Sequence, residues 1–192
     1  LNSLIITIPT VIGTLFLSSL AGYSLAMHRF KLNLLVFAMF IAGNFVPYQI
    51  LMIPVRNISI ELGMYNSHMG LIIFHIAFQT GFCTFFLRNF IKELPFELIE
   101  AARADGATEW TIYRKIIIPL TIPALAALGV LEFTFIWNDY FWALILTQGD
   151  TVKPITVGLD VLRGQWTTAW NLVSAGSVVA ALPPVILSLI HI

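Results

Sequence analysis

Charge is the scarcest feature of this sequence. Only 10% of its 192 residues are charged and 58% are hydrophobic, whereas a typical soluble domain carries about 25% charged residues. This composition argues against a soluble single-domain protein. The formal net charge is zero, so the chain has no excess of basic residues with which to bind a nucleic acid.

Cysteine and nucleotide-binding sequence patterns are also lacking. The one cysteine, Cys83, cannot form an internal disulfide. No G-x-x-x-x-G-K-[ST] pattern occurs, and that pattern supplies the loop that cradles nucleotide phosphates. We therefore expect this chain not to hydrolyse ATP itself, and we expect neither a cofactor nor a metal ion in it.

Long apolar runs dominate what is present, and no strand-like alternation of polar and apolar residues appears. An apolar helix of about 20 residues spans a bilayer, and its backbone groups must be paired within the element. The sequence therefore predicts an all-α polytopic membrane protein with about five spans. The predicted spans are Leu1–Met27, Leu32–Val55, Leu62–Leu87, Ile116–Leu146 and Gly164–Ile192.

The basic residues predict the orientation of these spans. With five helices, seven basic residues fall on one side of the membrane and three on the other, and the richer side is cytoplasmic. Residues 93–119 are then cytoplasmic, and residues 147–165 are extracytoplasmic. The cytoplasmic set is Arg29, Lys31, Arg88, Lys92, Arg103, Arg114 and Lys115, and the opposite set is Arg56, Lys153 and Arg163.

The predicted cytoplasmic loop "EAARADGATEW" carries helix start and stop signals. Pro95 suits the first position of a helix, and Gly106 suits the left-handed position just after its end. Thr108 can cap a second helix, which Pro119 is expected to stop or kink before the next span. We predict a helix, a glycine turn and a second helix.

The first of these helices has the composition of a docking element. Ala101 and Ala102 beside Glu100 would let another surface approach the backbone closely, as in a helix that lies in a partner's groove. The alternative is a solvated connection that lies along the membrane surface. Physical reasoning alone leaves both open.

The same stretch carries a resemblance to a known family. "EAARADGA" followed by "IIIPL" resembles the EAA signature of the permease subunits of binding-protein-dependent ABC importers. "NSL" at 2–4, "IP" at 53–54, "WNDYFWAL" at 137–144 and "VGL" at 157–159 are similar to the carbohydrate branch, in particular the second permease of maltose-type systems. The coupling residues that the resemblance implies are Glu100, Ala101, Ala102, Asp105, Gly106 and Pro119.

The resemblance implies a role and partners. In that family the loop sits in a cleft of a cytoplasmic ATPase subunit, and ATP binding rocks the helices between inward-open and outward-open states. The implied partners are an ATPase dimer, a second permease subunit, an extracytoplasmic solute-binding protein and membrane lipid, with no nucleic acid. The implied location is the bacterial cytoplasmic membrane. The implied fold is the six-helix type-1 importer fold, of which this chain would hold the last five helices.

Polar residues inside the predicted spans are candidates for a translocation pathway, because ionisable groups in a span are costly and suggest function. Aromatic rings and amides also suit a sugar. The alternative is structural: these groups fix the packing between helices or form the aromatic belt. The candidates are Asn44, Gln49, Glu132, Trp137, Asn138 and Asp139.

Several alternatives stay open. The cargo could instead be a phosphorylated polyol, an amino acid or a peptide, and the chain could be a membrane scaffold or a secondary transporter. Residues 147–165 are expected to face the solute-binding protein or to cap the helix ends. We expect residues 1–186 to be one transmembrane domain that lacks its first helix. Residues 187–192 match an in-frame sequencing adaptor, or else they are an ordinary helix end.

Overall fold

The structure, a computed structural model, describes residues 1–162 and 169–190. In this part of the chain every regular element is helical, which confirms the all-α prediction. The α-helices are α1 (Asn2–Met27), α2 (Asn33–Ala42), α3 (Met52–Glu61), α4 (His68–Lys92), α5 (Phe96–Ala104), α6 (Glu109–Ile112), α7 (Ile118–Trp137), α8 (Phe141–Leu146), α9 (Ile155–Val161) and α10 (Trp170–Ile190).

Four helices of the described residues are long and apolar enough to cross a membrane: α1, α4, α10 and the continuous helix Glu109–Trp137. The second predicted span differs, because α2 and α3 meet this test together only as a bent pair. Two 3-10 turns, Gly43–Phe45 and Tyr48–Leu51, separate them. Pro47 lies between these turns and has no N–H group to continue a helical hydrogen-bond ladder.

The fourth predicted span, 116–146, extends past the C-terminal end of the helix in the structure. The helix stops at Trp137 rather than continuing to Leu146, and a separate short helix, α8, follows. Asp139 lies in the break, and its carboxylate accepts the backbone N–H groups of Trp142 and Ala143 at the start of α8. Asp139 therefore lies after helix α7 and not within it.

Helix α1 buries a stripe of small hydroxyl side chains. Their spacing of three or four residues places them on one face, and the hydroxyl of Thr10 donates to the carbonyl of Ile6 on its own helix at 2.6 Å. Small residues let helices approach closely in lipid, where apolar burial alone gives little driving force. The buried members of the stripe are Ser3, Thr7, Thr10, Thr14 and Ser18.

The chain forms two compact units. The first unit comprises Leu1–Ile12, Pro47–Ile76 and the described part of Val130–Ile192. Its core contains Ile6, Leu71, Ile136, Trp142 and Leu146. The side chain of Asn2 donates to the carbonyls of Thr151 and Lys153, which fastens the segment after α8 to the start of α1.

The second unit comprises Gly13–Val46 and Ala77–Gly129. Its core joins the second half of α1, the end of α4 and the loop helices through buried aliphatic side chains. Members of this core are Leu87, Ile91, Ile99, Ile112, Ile117 and Leu128. In this unit the loop "EAARADGATEW" packs against the ends of α1 and α4.

Some sequence predictions fall on residues that are not described. Arg163, Gly164 and Trp166, and the last two residues of the 187–192 segment, lie outside the described residues. The fifth span, predicted from Gly164, is described as α10 from Trp170 onward.

Candidate functional site

The loop between α4 and α7 forms two helices joined by a glycine turn, as the sequence predicts. Helix α5 begins one residue later than expected, because Pro95 occupies the cap position rather than the first helical position. Thr108 caps α6, and its hydroxyl accepts the backbone N–H of Thr111. The helix-start signals at Pro95 and Thr108 each depend on neighbouring residues, which is why both can be predicted from the sequence.

Gly106 closes α5 through a Schellman motif. Its φ of +79° is a left-handed conformation that glycine adopts without the steric cost of a Cβ. The N–H of Gly106 donates to the carbonyl of Arg103, and the N–H of Ala107 donates to that of Ala102 at 2.9 Å. These are the two hydrogen bonds that define the motif.

Pro119 does not end the second helix, so the stop, one of the two outcomes predicted for this residue, is wrong. A π-helical turn at Tyr113–Ile117 leads directly into α7, whose second residue is Pro119. Pro119 is exposed. A wider helical turn allows the chain to continue where a proline removes a hydrogen bond.

Helix α5 presents one face to the core and one face outward. Ile99 is buried and Ala102 packs partly against the core of the second unit. On the outer side Glu100, Ala101, Asp105 and Gly106 are exposed.

Large apolar side chains are also exposed along this loop. Phe96, Leu98 and Trp110 are 46%, 48% and 57% exposed. Helix α5 has nine residues and is too short to span a bilayer. Exposed apolar groups on such a short helix suit either a partner's groove or the membrane surface.

Glu109, in the first turn of α6, is the centre of a polar network. Its Oε1 atom accepts the Nε–H of Arg103 at 2.9 Å, and its Oε2 atom accepts the hydroxyl of Tyr23 at 2.5 Å. The Nε2 atom of His28 lies 3.4 Å from the same oxygen. The hydrogen bond to Glu109 raises the pKa of the Arg103 guanidinium.

Sequence reasoning missed this network because its members are far apart in the chain. Tyr23 and Glu109 are 86 positions apart. The one available signal is topological: Tyr23 and His28 end the first predicted span on the same predicted side as the loop.

Two candidate pathway residues of the first unit, Trp137 and Asn138, make side-chain hydrogen bonds to backbone carbonyls. The indole Nε1 atom of Trp137 donates to the carbonyl of Ala180 on α10 at 2.9 Å. The amide of Asn138 is exposed and donates to the carbonyl of Thr134 on its own helix.

Asp139 lies beside His75 of α4, with 3.5 Å between Oδ2 and Nε2. A small cavity next to the pair is lined by Ser3, Thr7 and Ala143 as well as by His75 and Asp139.

The remaining candidates are dispersed. Glu132 is fully buried. Gln49 lies exposed in a 3-10 turn of the first unit. Asn44 belongs to the second unit, is exposed, and its amide donates to the carbonyl of Phe40.

Comparison with known proteins relates this chain to transport proteins. Residues 4–191 match the family described as binding-protein-dependent transport system inner membrane component. A probable ABC transporter permease protein of Pyrococcus horikoshii is 39% identical over 87% of this chain and 61% of its own length. The chain thus spans about three fifths of that relative.

Two further relatives have named transport systems. The arabinooligosaccharides transport system permease protein AraQ of Halalkalibacterium halodurans is 34% identical over 97% of this chain and 66% of its own length. The sn-glycerol-3-phosphate transport system permease protein UgpE of Salmonella typhi is 34% identical over 98% of this chain and 67% of its own length.

A solved structure shares the fold. The crystal structure of a bacterial ABC transporter involved in the import of the acidic polysaccharide alginate matches with a TM-score of 0.83 and 24% identity, over 98% of this chain and 71% of that chain.

Proposed function

The chain belongs to the family of binding-protein-dependent transport system inner membrane components, and on that basis we propose that it is the permease subunit of an ATP-driven carbohydrate importer. With several apolar helices long enough to cross a bilayer, this family member is a multi-pass protein of the inner membrane. In the proposed role it forms a translocation pathway together with a second permease subunit and alternates between inward-open and outward-open states.

The outer face of α5 is the observation that carries the proposal. Exposed Glu100 and Ala101 lie on a short helix that also exposes Phe96 and Leu98. Small and apolar groups on a helix face suit insertion into a groove of a partner. We propose that this face docks on a cytoplasmic ATPase subunit, with the sharp turn at Gly106 holding α5 at the angle that docking needs.

The chemistry of ATP hydrolysis belongs to that partner in this proposal. The sequence contains no G-x-x-x-x-G-K-[ST] pattern with which to cradle nucleotide phosphates. The permease is then not an enzyme by itself and needs no cofactor of its own. The other proposed partners are an extracytoplasmic solute-binding protein, which would face residues 147–165, and membrane lipid.

A carbohydrate is the proposed cargo because AraQ, a permease for arabinooligosaccharides, is similar over nearly the whole chain. The similarity to UgpE, a permease of an sn-glycerol-3-phosphate system, makes a phosphorylated polyol the second candidate. Asn44, Gln49, Glu132, Trp137, Asn138 and Asp139 stay candidates for the pathway.

Co-purification tests the docking role. The chain would be expressed with the second permease and the ATPase subunit of its transport system, and ATPase retained on the tagged permease would be measured. We expect Gly106→Val to release the ATPase, because valine cannot hold the left-handed turn. Ala101→Trp should do the same by adding bulk to the outer face of α5 without disturbing the turn.

Gly63→Val is the matched control, since Gly63 also has a positive φ, +67°, but lies after α3. Loss of the ATPase with all three variants would indicate general misfolding. Full retention in Gly106→Val and Ala101→Trp would make the loop a simple connection. Uptake of labelled arabinooligosaccharide and of labelled sn-glycerol-3-phosphate would separate the two cargo classes.

A further inference from the structure

Glu109 bridges the end of a spanning helix and the loop helix. Tyr23 and His28 come from the end of α1 and the residue after it, whereas Arg103 comes from the last turn of α5. All four side chains belong to the second unit. We call this set of Tyr23, His28, Arg103 and Glu109 the Glu109 latch.

The two carboxylate oxygens of Glu109 accept hydrogen bonds from two different helices. Oε1 receives Arg103 of α5 at 2.9 Å, and Oε2 receives Tyr23 of α1 at 2.5 Å. Hydrogen bonds to an ionised carboxylate are shorter and stronger than neutral ones and fix direction as well as distance. One carboxylate therefore holds the end of α1 and the end of α5 at the same time.

We expect the Glu109 latch to fix the position of α5 relative to α1 and to add little to the stability of the fold. The side chains of Arg103 and Glu109 are 35% and 47% exposed, and exposed ion pairs add little to the stability of a fold. A buried hydrogen bond stabilises this junction instead: the hydroxyls of Ser19 in α1 and Tyr113 in the π-helical turn lie 2.7 Å apart. Removing the latch should therefore leave the fold intact and loosen the hold of α1 on α5.

We propose that Glu109, through Tyr23 and Arg103, transmits movement of the docked helix α5 to the spanning helix α1. This inference rests on the proposed function, since α5 moves only if an ATPase subunit drives it. Tyr23, Arg103 and Glu109 are positioning residues in this scheme, with no contact to cargo or nucleotide. In a bridge built in series, weakening the second half adds little once the first half is weakened.

Two substitutions weaken the α1 side and the α5 side separately, and both leave His28 in place. Tyr23→Phe removes only the hydroxyl that donates to Glu109, and Arg103→Gln removes the charge that pairs with it. In the complex with the second permease and the ATPase, we would measure how much cargo-loaded solute-binding protein stimulates ATP hydrolysis. We expect each variant to reduce this stimulation by roughly 2- to 30-fold, the range for residues within a coupling network, while the ATPase still co-purifies.

The double variant Tyr23→Phe/Arg103→Gln gives the decisive readout. If both residues act through one bridge, the double variant is no worse than the more damaging single variant, whereas independent structural effects add. Hydrogen exchange of the α5 amides in the same complexes should accelerate by roughly fivefold in all three variants, as expected for the loss of about one weak interaction. Glu93→Gln, which converts an exposed carboxylate just before the loop to an amide, should change neither quantity.

The outcomes separate the two proposals. If the unsubstituted chain retains no ATPase, the proposed function fails. If the ATPase is retained and stimulation stays unchanged in both single variants, or the two losses simply add, the Glu109 latch does not transmit movement and the proposed function stands.

Discussion

The Nε2 atom of His75 lies 3.5 Å from the Oδ2 atom of Asp139, and the two side chains are only 5% and 14% exposed. The same carboxylate accepts two backbone N–H groups at the start of α8. Asp139 thus joins α4 to the break between α7 and α8. The acid of the "WNDYFWAL" stretch therefore makes contacts with two helices of the first unit.

The first prediction concerns Asp139. We expect Asp139→Ala to lower the free energy of unfolding by about 2 kcal/mol, because α8 loses its capping oxygens and buried His75 loses a partner. Asp139→Asn keeps an oxygen that can cap α8 and should lose less. Thermal unfolding of the full chain in detergent micelles would measure both. Asp150→Asn, at an exposed carboxylate, is the control, and an equal loss there would contradict the structural role of Asp139.

The second prediction concerns the attachment of α10. The indole of Trp137 donates to Ala180, and its ring stacks on Phe133 with 5.4 Å between centroids. Trp137→Phe retains most of the ring contact and removes the donor, so the carbonyl of Ala180 loses its partner. We expect a loss of about 1 kcal/mol in the free energy of unfolding. Trp170→Phe, at an exposed indole, should be neutral, and a similar loss at both positions would count against the hydrogen bond.

The third prediction concerns the turn after α5. Gly106→Ala places a Cβ in a left-handed conformation, which costs about 1 to 2 kcal/mol. Gly43 has a φ of −56°, and a Cβ added there would have open space around it, so Gly43→Ala should be stabilising by up to about 1 kcal/mol. Hydrogen exchange of the α5 amides would show the first effect locally. Equal protection of α5 in the Gly106→Ala protein and the unsubstituted protein would contradict the Schellman geometry.

The fourth prediction concerns helix packing in the second unit. A Cβ added to Gly22 would lie 3.1 Å from the backbone nitrogen of Arg88 and 3.2 Å from the Cβ of Leu87, so α1 and α4 would have to separate. We expect Gly22→Ala to cost about 1 to 3 kcal/mol, as overpacking does.

Gly129 offers the matched comparison for this test. Its added Cβ would meet only the side chain of Leu15, at an ordinary 3.5 Å, so Gly129→Ala should be tolerated. Thermal unfolding of the two variants in the same detergent would measure the difference. A smaller loss for Gly22→Ala than for Gly129→Ala would contradict the close approach of α1 and α4.

Local signals were predictable where the interacting groups are close in sequence. The cap at Thr108 and the left-handed turn at Gly106 depend on residues within five positions, and both are confirmed. Pro119 was misleading because the helix continues through it, directly after the π-helical turn at Tyr113–Ile117.

The break after the fourth span was not predictable from hydrophobicity. Residues 116–146 read as one apolar run, and only the side-chain capping by Asp139 shows where α7 ends and α8 begins. The packing role of Trp137 likewise depends on Ala180, a residue 43 positions away.

The sequence by itself determined the class of this protein. Apolar runs of about 20 residues require helices in a membrane because lipid cannot satisfy backbone groups, and the capping residues set the shape of the loop between α4 and α7. Only the tertiary structure decided which polar groups meet. Tyr23 meets Glu109 across 86 positions of the chain, and His75 meets Asp139 from a different helix. Such pairings follow from how helices pack rather than from any periodicity along the chain.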